Sequence, residues 1–330
     1  LKKLLITGGT GMLGQALIRL YHLQYEIHFI GRDQALGDKI AQRYQAVFHP
    51  IDLSNSNSLK SLDLACSDAY AVVHCAALSS PWGKESDFIS ANVKGTEHIL
   101  LAAEKAKVPR FVHISTPSLY FDFKSQINIK ESSPLPPSFC NEYATTKAQA
   151  EKLVLSSNLH SFILRPRGLF GPQDRAIAPR LLGFIKNKNL LLPSSRDPLV
   201  DLTYVDNVAD AIILAVESDC ESGNIFNISN GQPGHIKSLL TDLLSELAPN
   251  TQIKGLNYKW VRILVKWNQW IHQYLLNHKE PRLTNYSAAL LHYDQTLDIS
   301  KAQEILDYQP KVSIKEGIKR YANWHKNPTI

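Results

Sequence analysis

Short apolar runs recur along the first half of the chain, at Lys3 to Thr7, Glu26 to Ile30, Ala46 to Ile51, Ala69 to Cys75, Arg110 to Ser115 and Ser161 to Leu164. Each is close to continuous, the pattern of a strand buried on both faces. Between them, segments such as Met12 to Leu23 and Ala91 to Ala106 place apolar residues three and four apart, which predicts helices. This alternation predicts an α/β protein built on a doubly wound parallel sheet, with ligands outside the carboxyl ends of the strands.

The rhythm changes after residue 165. Pro166, Pro172, Pro179, Pro193 and Pro198 cut the chain into shorter pieces, while strand patterns return at Asp201 to Val205 and Asn224 to Ile228. The expected organisation is one domain over 1–165, with 201–230 returning to it, and a smaller interleaved C-terminal lobe over 166–330. Within that lobe, Lys259, Arg262, Lys266, Gln269 and Gln273 form one polar stripe of a helix over 258–276. Trp260, Ile263, Leu264, Trp267, Trp270, Ile271, Tyr274 and Leu275 fill its other side. Such a helix reads as a lid over a substrate cleft, as a peripheral membrane contact, or as an ordinary packed helix, and its regular cations argue against a membrane span.

Composition narrows the classes. With 44% hydrophobic and 20% charged residues in 330, the chain is ordinary globular material. A net charge of +6 spread along the chain gives little support to nucleic-acid binding. Cys66, Cys75, Cys140 and Cys220 lie far apart without metal-site spacing, so neither a metal nor a disulfide is expected. No secretory pattern precedes Leu4, and the expected location is cytoplasmic, with membrane association through 258–276.

The first chemistry appears behind the first strand, in T-G-G-T-G-M-L-G, Thr7 to Gly14. Glycines at 8, 11 and 14 between a strand and a helix suit a tight turn, close approach of backbone to a pyrophosphate, and close helix-strand packing. Thr10, Met12 and Leu13 complete that turn in a Rossmann-type fold. At the end of the second strand, Arg32 suits pairing with a 2′-phosphate, which favours NADP over NAD, while Asp33 would suit a free ribose if displaced by one residue. Asp52 ends the third strand and is either an acceptor for the adenine amino group or a cap for the helix from Asn55.

A second constellation lies in N-E-Y-A-T-T-K, where Tyr143 and Lys147 share one face of a helix predicted over 141–155. An ammonium beside a phenol is expected to lower its pKa from about 10 and fit it for proton transfer. Ser115 and Thr116 end the fifth strand, where a hydroxyl can bond a substrate oxygen; the residues alone leave the choice between them open.

Taken together, the glycine turn, Asp52-Leu53, Ala76-Ala77, Asn92-Val93-Lys94-Gly95-Thr96, Ser115-Thr116, Tyr143 with Lys147, Arg165-Pro166, Gly171-Pro172 and Tyr204-Val205-Asp206-Asn207 resemble the extended short-chain dehydrogenase/reductase family, also called the NAD-dependent epimerase/dehydratase family, over nearly the whole chain. The resemblance implies that Tyr143 is the acid/base, that Lys147 also holds the nicotinamide ribose and that Thr116 orients the substrate. It also implies cofactor contacts from Leu53, Ala76, Ala77, Asn92, Pro166, Gly168 and Leu169, and a homodimer through the helices carrying Asn92 and Tyr143.

Dehydratases of that family carry an Asp-Glu pair after the hydroxyl residue, where this chain has Pro117 and Ser118, so dehydration is disfavoured. The stretch over 76–96, with Asp201 to Asn207 and Glu280 to Thr284, is similar to the 3β-hydroxysteroid dehydrogenase-like branch, including bacterial 2-alkyl-3-oxoalkanoate reductases. Ser79, Trp82 and Arg180 are then candidate substrate contacts, Trp82 as an apolar wall or simply as a packed side chain. The expected activity is NADP(H)-dependent interconversion of a secondary alcohol and a ketone on an apolar 3-hydroxy/3-oxo acid or sterol-like molecule. Two rivals stand: a nucleotide-sugar epimerase or reductase, with Arg180, Lys186, Lys188 and Arg196 on a diphosphate, and a redox-sensing regulatory protein that binds the dinucleotide without turnover.

Overall fold

A computed structural model of the chain describes residues 1–175 and 177–328. Five strands of the main sheet come early: β1 (Lys2–Thr7), β2 (Tyr25–Gly31), β3 (Val47–Pro50), β4 (Ala71–His74) and β5 (Arg110–Ile114). Ser161–Pro166 and Asn224–Ile228 complete seven strands, in the order Asn224–Ile228, Ser161–Pro166, β5, β4, β1, β2, β3. All neighbours run parallel. The predicted doubly wound sheet is the observed one, and the order reverses on either side of β1, where such folds open a crevice for a ligand.

Two apolar layers cover the sheet. On one side α1 (Met12–Tyr21) and the helix Val205–Glu217 bury Leu17, Ile18, Val208 and Ile212 against Leu4, Ile6, Phe29 and Phe162. On the other, Leu62, Ile99, Ala103 and Val154 pack on Leu5, Val72, Phe111 and Ile163. Residues alternate between these clusters along β1, which is why its run is apolar throughout.

Asn224–Ile228 joins the sheet edge, whereas Asp201 to Val205 does not form one strand: Leu199–Val200 and Thr203–Tyr204 are short strands in two small sheets, and Val205 begins a helix. Leu190, Leu192, Val200, Ile236, Leu240 and Leu244 form a separate small core for the C-terminal lobe. The helix expected over 91–106 begins as a π-helical turn, Ile89–Lys94, before continuing as Gly95–Lys105. The helix carrying Tyr143 is Glu142–Ser156, capped by Asn141, whose side chain accepts from the Ala144 amide at 2.9 Å.

Candidate active site

The glycine turn has the shape a pyrophosphate requires. Gly8 takes φ +69°, and a Cβ there would lie 2.9 Å from the Ala76 backbone; at Gly14 it would lie 2.5 Å from the Gly8 carbonyl oxygen. Gly11 differs, because its Cβ would meet only the Gly8 oxygen, at 3.2 Å, leaving the outer side open for a ligand. No side chain caps α1 and no acid occupies its first turn, so its amides remain available to an anion. Gln15 donates to the Thr10 carbonyl at 2.9 Å and steadies the loop. Leu13 points into the core, so its amide rather than its side chain faces the turn. The Thr10 methyl sits where a Cβ on Gly31 would fall.

At the adenosine end, Arg32 is exposed and close enough to lower the pKa of Asp52. Asp33 is committed elsewhere: it caps the helix Gln34–Tyr44 by accepting from the Leu36 amide at 3.0 Å. Asp52 does not cap the next helical turn, a task Asn55 performs. Its carboxylate accepts from the Ser54 amide at 2.9 Å and hydroxyl at 2.7 Å, and although partial burial pushes its pKa up, those bonds and Arg32 bring it below the usual range. Leu53 is buried beside Gly95.

Buried polar bonds hold the loop after β4 in place. Thr7 Oγ1 accepts from the Ala76 amide at 3.2 Å and pairs with His74 Nδ1 at 2.7 Å, while Ala77 is exposed. Asn92 accepts from the Leu78 amide at 2.7 Å and donates to Thr146 Oγ1 at 3.1 Å, fastening this loop to the helix that bears Tyr143. It sits in the π-helical turn, the local irregularity that marks many functional sites.

Ser79 and Thr116 lie near enough to the Tyr143 hydroxyl to bear on its titration. One expectation is corrected. Desolvation raises the Tyr143 pKa, the bonds from Ser79 and Thr116 only moderate the rise, and Lys147 exerts no resolved pull on it. The Lys147 ammonium is buried and donates to the Ile114 carbonyl at 2.5 Å, with His113 Nε2 2.9 Å away. Burial holds it down at about 8, partly offset by Glu151. Thr116 and Ser115 separate clearly: Thr116 Oγ1 donates to Ser118 Oγ at 2.9 Å, whereas Ser115 Oγ is buried without a partner.

Two participants were missed in the sequence. Ser118 links Thr116 to Tyr286, whose hydroxyl is 2.6 Å from Ser118 Oγ. Tyr286 is distant in sequence, and only the fold delivers it. The other is Arg167, which follows Arg165-Pro166. Arg165 is satisfied by Glu151, at 2.8 and 2.5 Å, and by Tyr120. Arg167 is only 7% exposed, its Nε has no partner, and among the described residues no carboxylate forms an ion pair with it. Desolvation lowers its pKa, opposed by the fields of Tyr286 and Asp201. Two arginines two positions apart were legible; which of them forms an ion pair was not.

Pro166 and Leu169 are half-buried beside it, and Gly168 takes φ +59°, where an added Cβ would lie 2.8 Å from the Asp201 carbonyl oxygen. Trp82 is half-buried and donates its indole N–H to the His278 carbonyl at 3.0 Å, which ties its loop to the segment after the tryptophan-rich helix. Arg180 lies at the surface in a 2.7 Å ion pair with Glu280. Arg196 pairs with Asp294 at 3.3 Å, and Lys186 and Lys188 are exposed, so the basic residues considered for a diphosphate do not converge.

A parallel nucleotide-binding sheet with a Tyr-Lys helix at its carboxyl edge defines an NAD(P)-dependent oxidoreductase of the extended short-chain dehydrogenase/reductase type. The profile of the 3-beta hydroxysteroid dehydrogenase/isomerase family matches residues 5–254, and the chain belongs to that family. It is 35% identical to the Escherichia coli (strain K12) protein YbjS over 333 residues, covering 98% of this chain and 97% of that one. A 2-alkyl-3-oxoalkanoate reductase of Shewanella oneidensis is 31% identical, with 96% and 84% covered, and the sterol-4-alpha-carboxylate 3-dehydrogenase ERG26 of Saccharomyces cerevisiae is 30% identical, with 97% of each covered. In fold, UDP-glucuronic acid 4-epimerase of Bacillus cereus aligns at a TM-score of 0.77 with 22% identity over 99% of this chain and 97% of that one.

Proposed function

We propose that the protein is an NADP(H)-linked oxidoreductase that interconverts the ketone and secondary alcohol of an apolar 3-oxo or 3-hydroxy acid. The observation that carries this reading is Arg167, a buried guanidinium whose Nε has no partner and which no described carboxylate reaches at ion-pair distance, although it feels the fields of Tyr286 and, more weakly, Asp201; Tyr286 in turn feels Tyr143. An unpaired buried charge is costly, and a substrate carboxylate near the reacting oxygen would relieve that cost. The names of the Shewanella and yeast relatives both describe a carboxylate separated by one carbon from an oxygenated carbon, which supports the same class. Arg32, exposed while Asp33 is engaged as a cap, supports NADP over NAD.

When bound, a reduced nicotinamide supplies hydride to the carbonyl carbon. Tyr143 gives its phenolic proton to the carbonyl oxygen, and Thr116 steadies that oxygen once its hydroxyl proton turns to it from Ser118. Ser118 and Tyr286 fix the Thr116 hydroxyl, and Arg167 orients the acid end. The dispersed cations at Arg180, Lys186, Lys188 and Arg196 weigh against a nucleotide sugar.

Comparing a 2-alkyl-3-oxo acid with its methyl ester tests the reading. Wild type should reduce the acid with at least tenfold higher kcat/KM, and Arg167→Met should erase that preference by raising KM for the acid alone. Equal kcat/KM for acid and ester in wild type would remove the carboxylate from the account. Tight dinucleotide binding without turnover of any keto acid, steroid or nucleotide sugar would favour the redox sensor.

A further inference from the structure

The helix Tyr258–Tyr274 faces the wrong way for a lid or a core element. Its buried or half-buried residues, Tyr258, Val261, Val265, Gln269 and His272, form one narrow seam against the protein. At 3.6 residues per turn, the stripe Trp260, Leu264, Trp267 and Ile271 lies roughly 130° away from that seam, on the outward side of the helix. Trp260 is 68% exposed, Leu264 69% and Trp267 66%, with Ile263, Trp270, Tyr274 and Leu275 widening the same outward face. Single exposed apolar residues are ordinary, but a contiguous face with three tryptophans marks an interaction surface.

Charge identifies the partner. Lys259, Arg262 and Lys266 flank the apolar stripe along one side, and the helix contains no Asp or Glu. The same cations line a surface hollow with Tyr258, Ser195, His292 and Tyr293, and no carboxylate contributes to its wall. Tyr258 and His292 stack at 3.7 Å to form one side of it. An apolar face rimmed with tryptophan beside a cationic hollow complements an anionic lipid surface: rings and aliphatic groups enter the acyl boundary while the cations meet headgroup phosphates. Among the described residues no helix is long and apolar enough to cross a membrane, so this contact would be made on one leaflet.

We infer that the Tyr258–Tyr274 helix docks the protein on an anionic membrane surface, with Lys259, Arg262 and Lys266 on the headgroups and the Trp260–Trp267–Ile271 face in the interfacial layer. The helix is joined to the candidate active site at two points. Gln269 accepts from the Asn285 amide at 2.9 Å, next to Tyr286, and the following segment receives the Trp82 indole at His278. Docking therefore sets the Trp82 loop and the Tyr286 segment beside the lipid, where an apolar substrate would be dissolved. The docking itself does not rest on the proposed substrate and is testable without it.

Flotation of the full-length protein with vesicles of phosphatidylglycerol and phosphatidylcholine, against phosphatidylcholine alone, reads the contact directly. Wild type is expected to bind the anionic vesicles at least tenfold more tightly and to be released by salt. Leu264→Glu with Trp267→Glu should abolish binding, and Lys259→Glu with Arg262→Glu and Lys266→Glu should weaken it about a hundredfold, with dinucleotide binding confirming that each variant is folded. Quenching of wild-type tryptophan fluorescence by brominated acyl chains gives a measurement independent of any variant, and strong quenching is expected. Absence of flotation and quenching, equal binding to both vesicle types, or a self-association of two copies through this face without lipid binding would each overturn the proposal.

Discussion

The hydroxyl of Tyr286 stands 2.6 Å from Ser118 Oγ, which receives the Thr116 hydroxyl proton at 2.9 Å. A residue from the C-terminal lobe thus completes the polar network of a strand end in the nucleotide-binding sheet, and Thr116 has one orientation because of it. Replacing Tyr286 with Phe removes only the last bond. The expected result is a kcat lowered about tenfold, with a stability loss near 1 kcal/mol by denaturant titration. Thr116→Val, which removes the hydroxyl proposed to steady the substrate oxygen, should cost about a hundredfold in kcat.

The proposed preference for the phosphorylated cofactor rests on Arg32, exposed at the end of β2. Arg32→Asp should weaken NADPH about a hundredfold in calorimetric titration while leaving NADH unchanged or tighter. Equal loss for both nucleotides would place Arg32 in the pyrophosphate or adenine region instead.

Buried bases give the protein a defined pH response. Burial, aided by the charge of Lys147, pushes His74 down to about 3, while its ring nitrogens pair with Thr7 and Thr96. An unfolded histidine protonates as pH falls below about 6.5, whereas folded His74 resists until about 3. The stabilisation is complete above the unfolded value and is lost as pH falls across that window, by as much as about 5 kcal/mol. His74→Gln should show a shallower loss of stability between those limits in urea titrations.

Lys147 acts in the opposite pH range. Burial lowers it to about 8 from 10.5, so above pH 8 the folded state releases a proton that the unfolded chain retains. Stability attributable to this residue therefore rises through that window, by up to about 3 kcal/mol, and the penalty is full and constant below it. The stability difference between Lys147→Met and wild type should narrow as pH increases from 8 to 10.5, as followed by denaturant titration.

Much of this site was legible because its signals are local. The glycines at 8, 11 and 14, the Tyr143-Lys147 spacing and the continuous apolar strands each follow from contacts within one βα unit, and the sheet formed as read. Tyr286 and Ser118 were not legible, because their partnership joins residues 168 apart. The direction of the Tyr143 shift also depended on three-dimensional detail: Lys147 turns its charge onto the Ile114 carbonyl and His113 rather than onto the phenol. The tryptophan-rich helix was correctly amphipathic, but periodicity cannot say which face meets the protein. There, the narrow seam through Val265 was buried and the broad apolar face was left outside.

The central claim is hydride transfer to a 3-oxo acid with the proton supplied by Tyr143. The most direct measurement uses NADPH carrying deuterium at the transferable position, a 2-alkyl-3-oxo acid as acceptor, and mass spectrometry of the product. The account predicts one deuterium on the new carbinol carbon, with no labelled product from Tyr143→Phe although that variant still binds NADPH. Unlabelled alcohol, or undiminished labelled product from Tyr143→Phe, would contradict it.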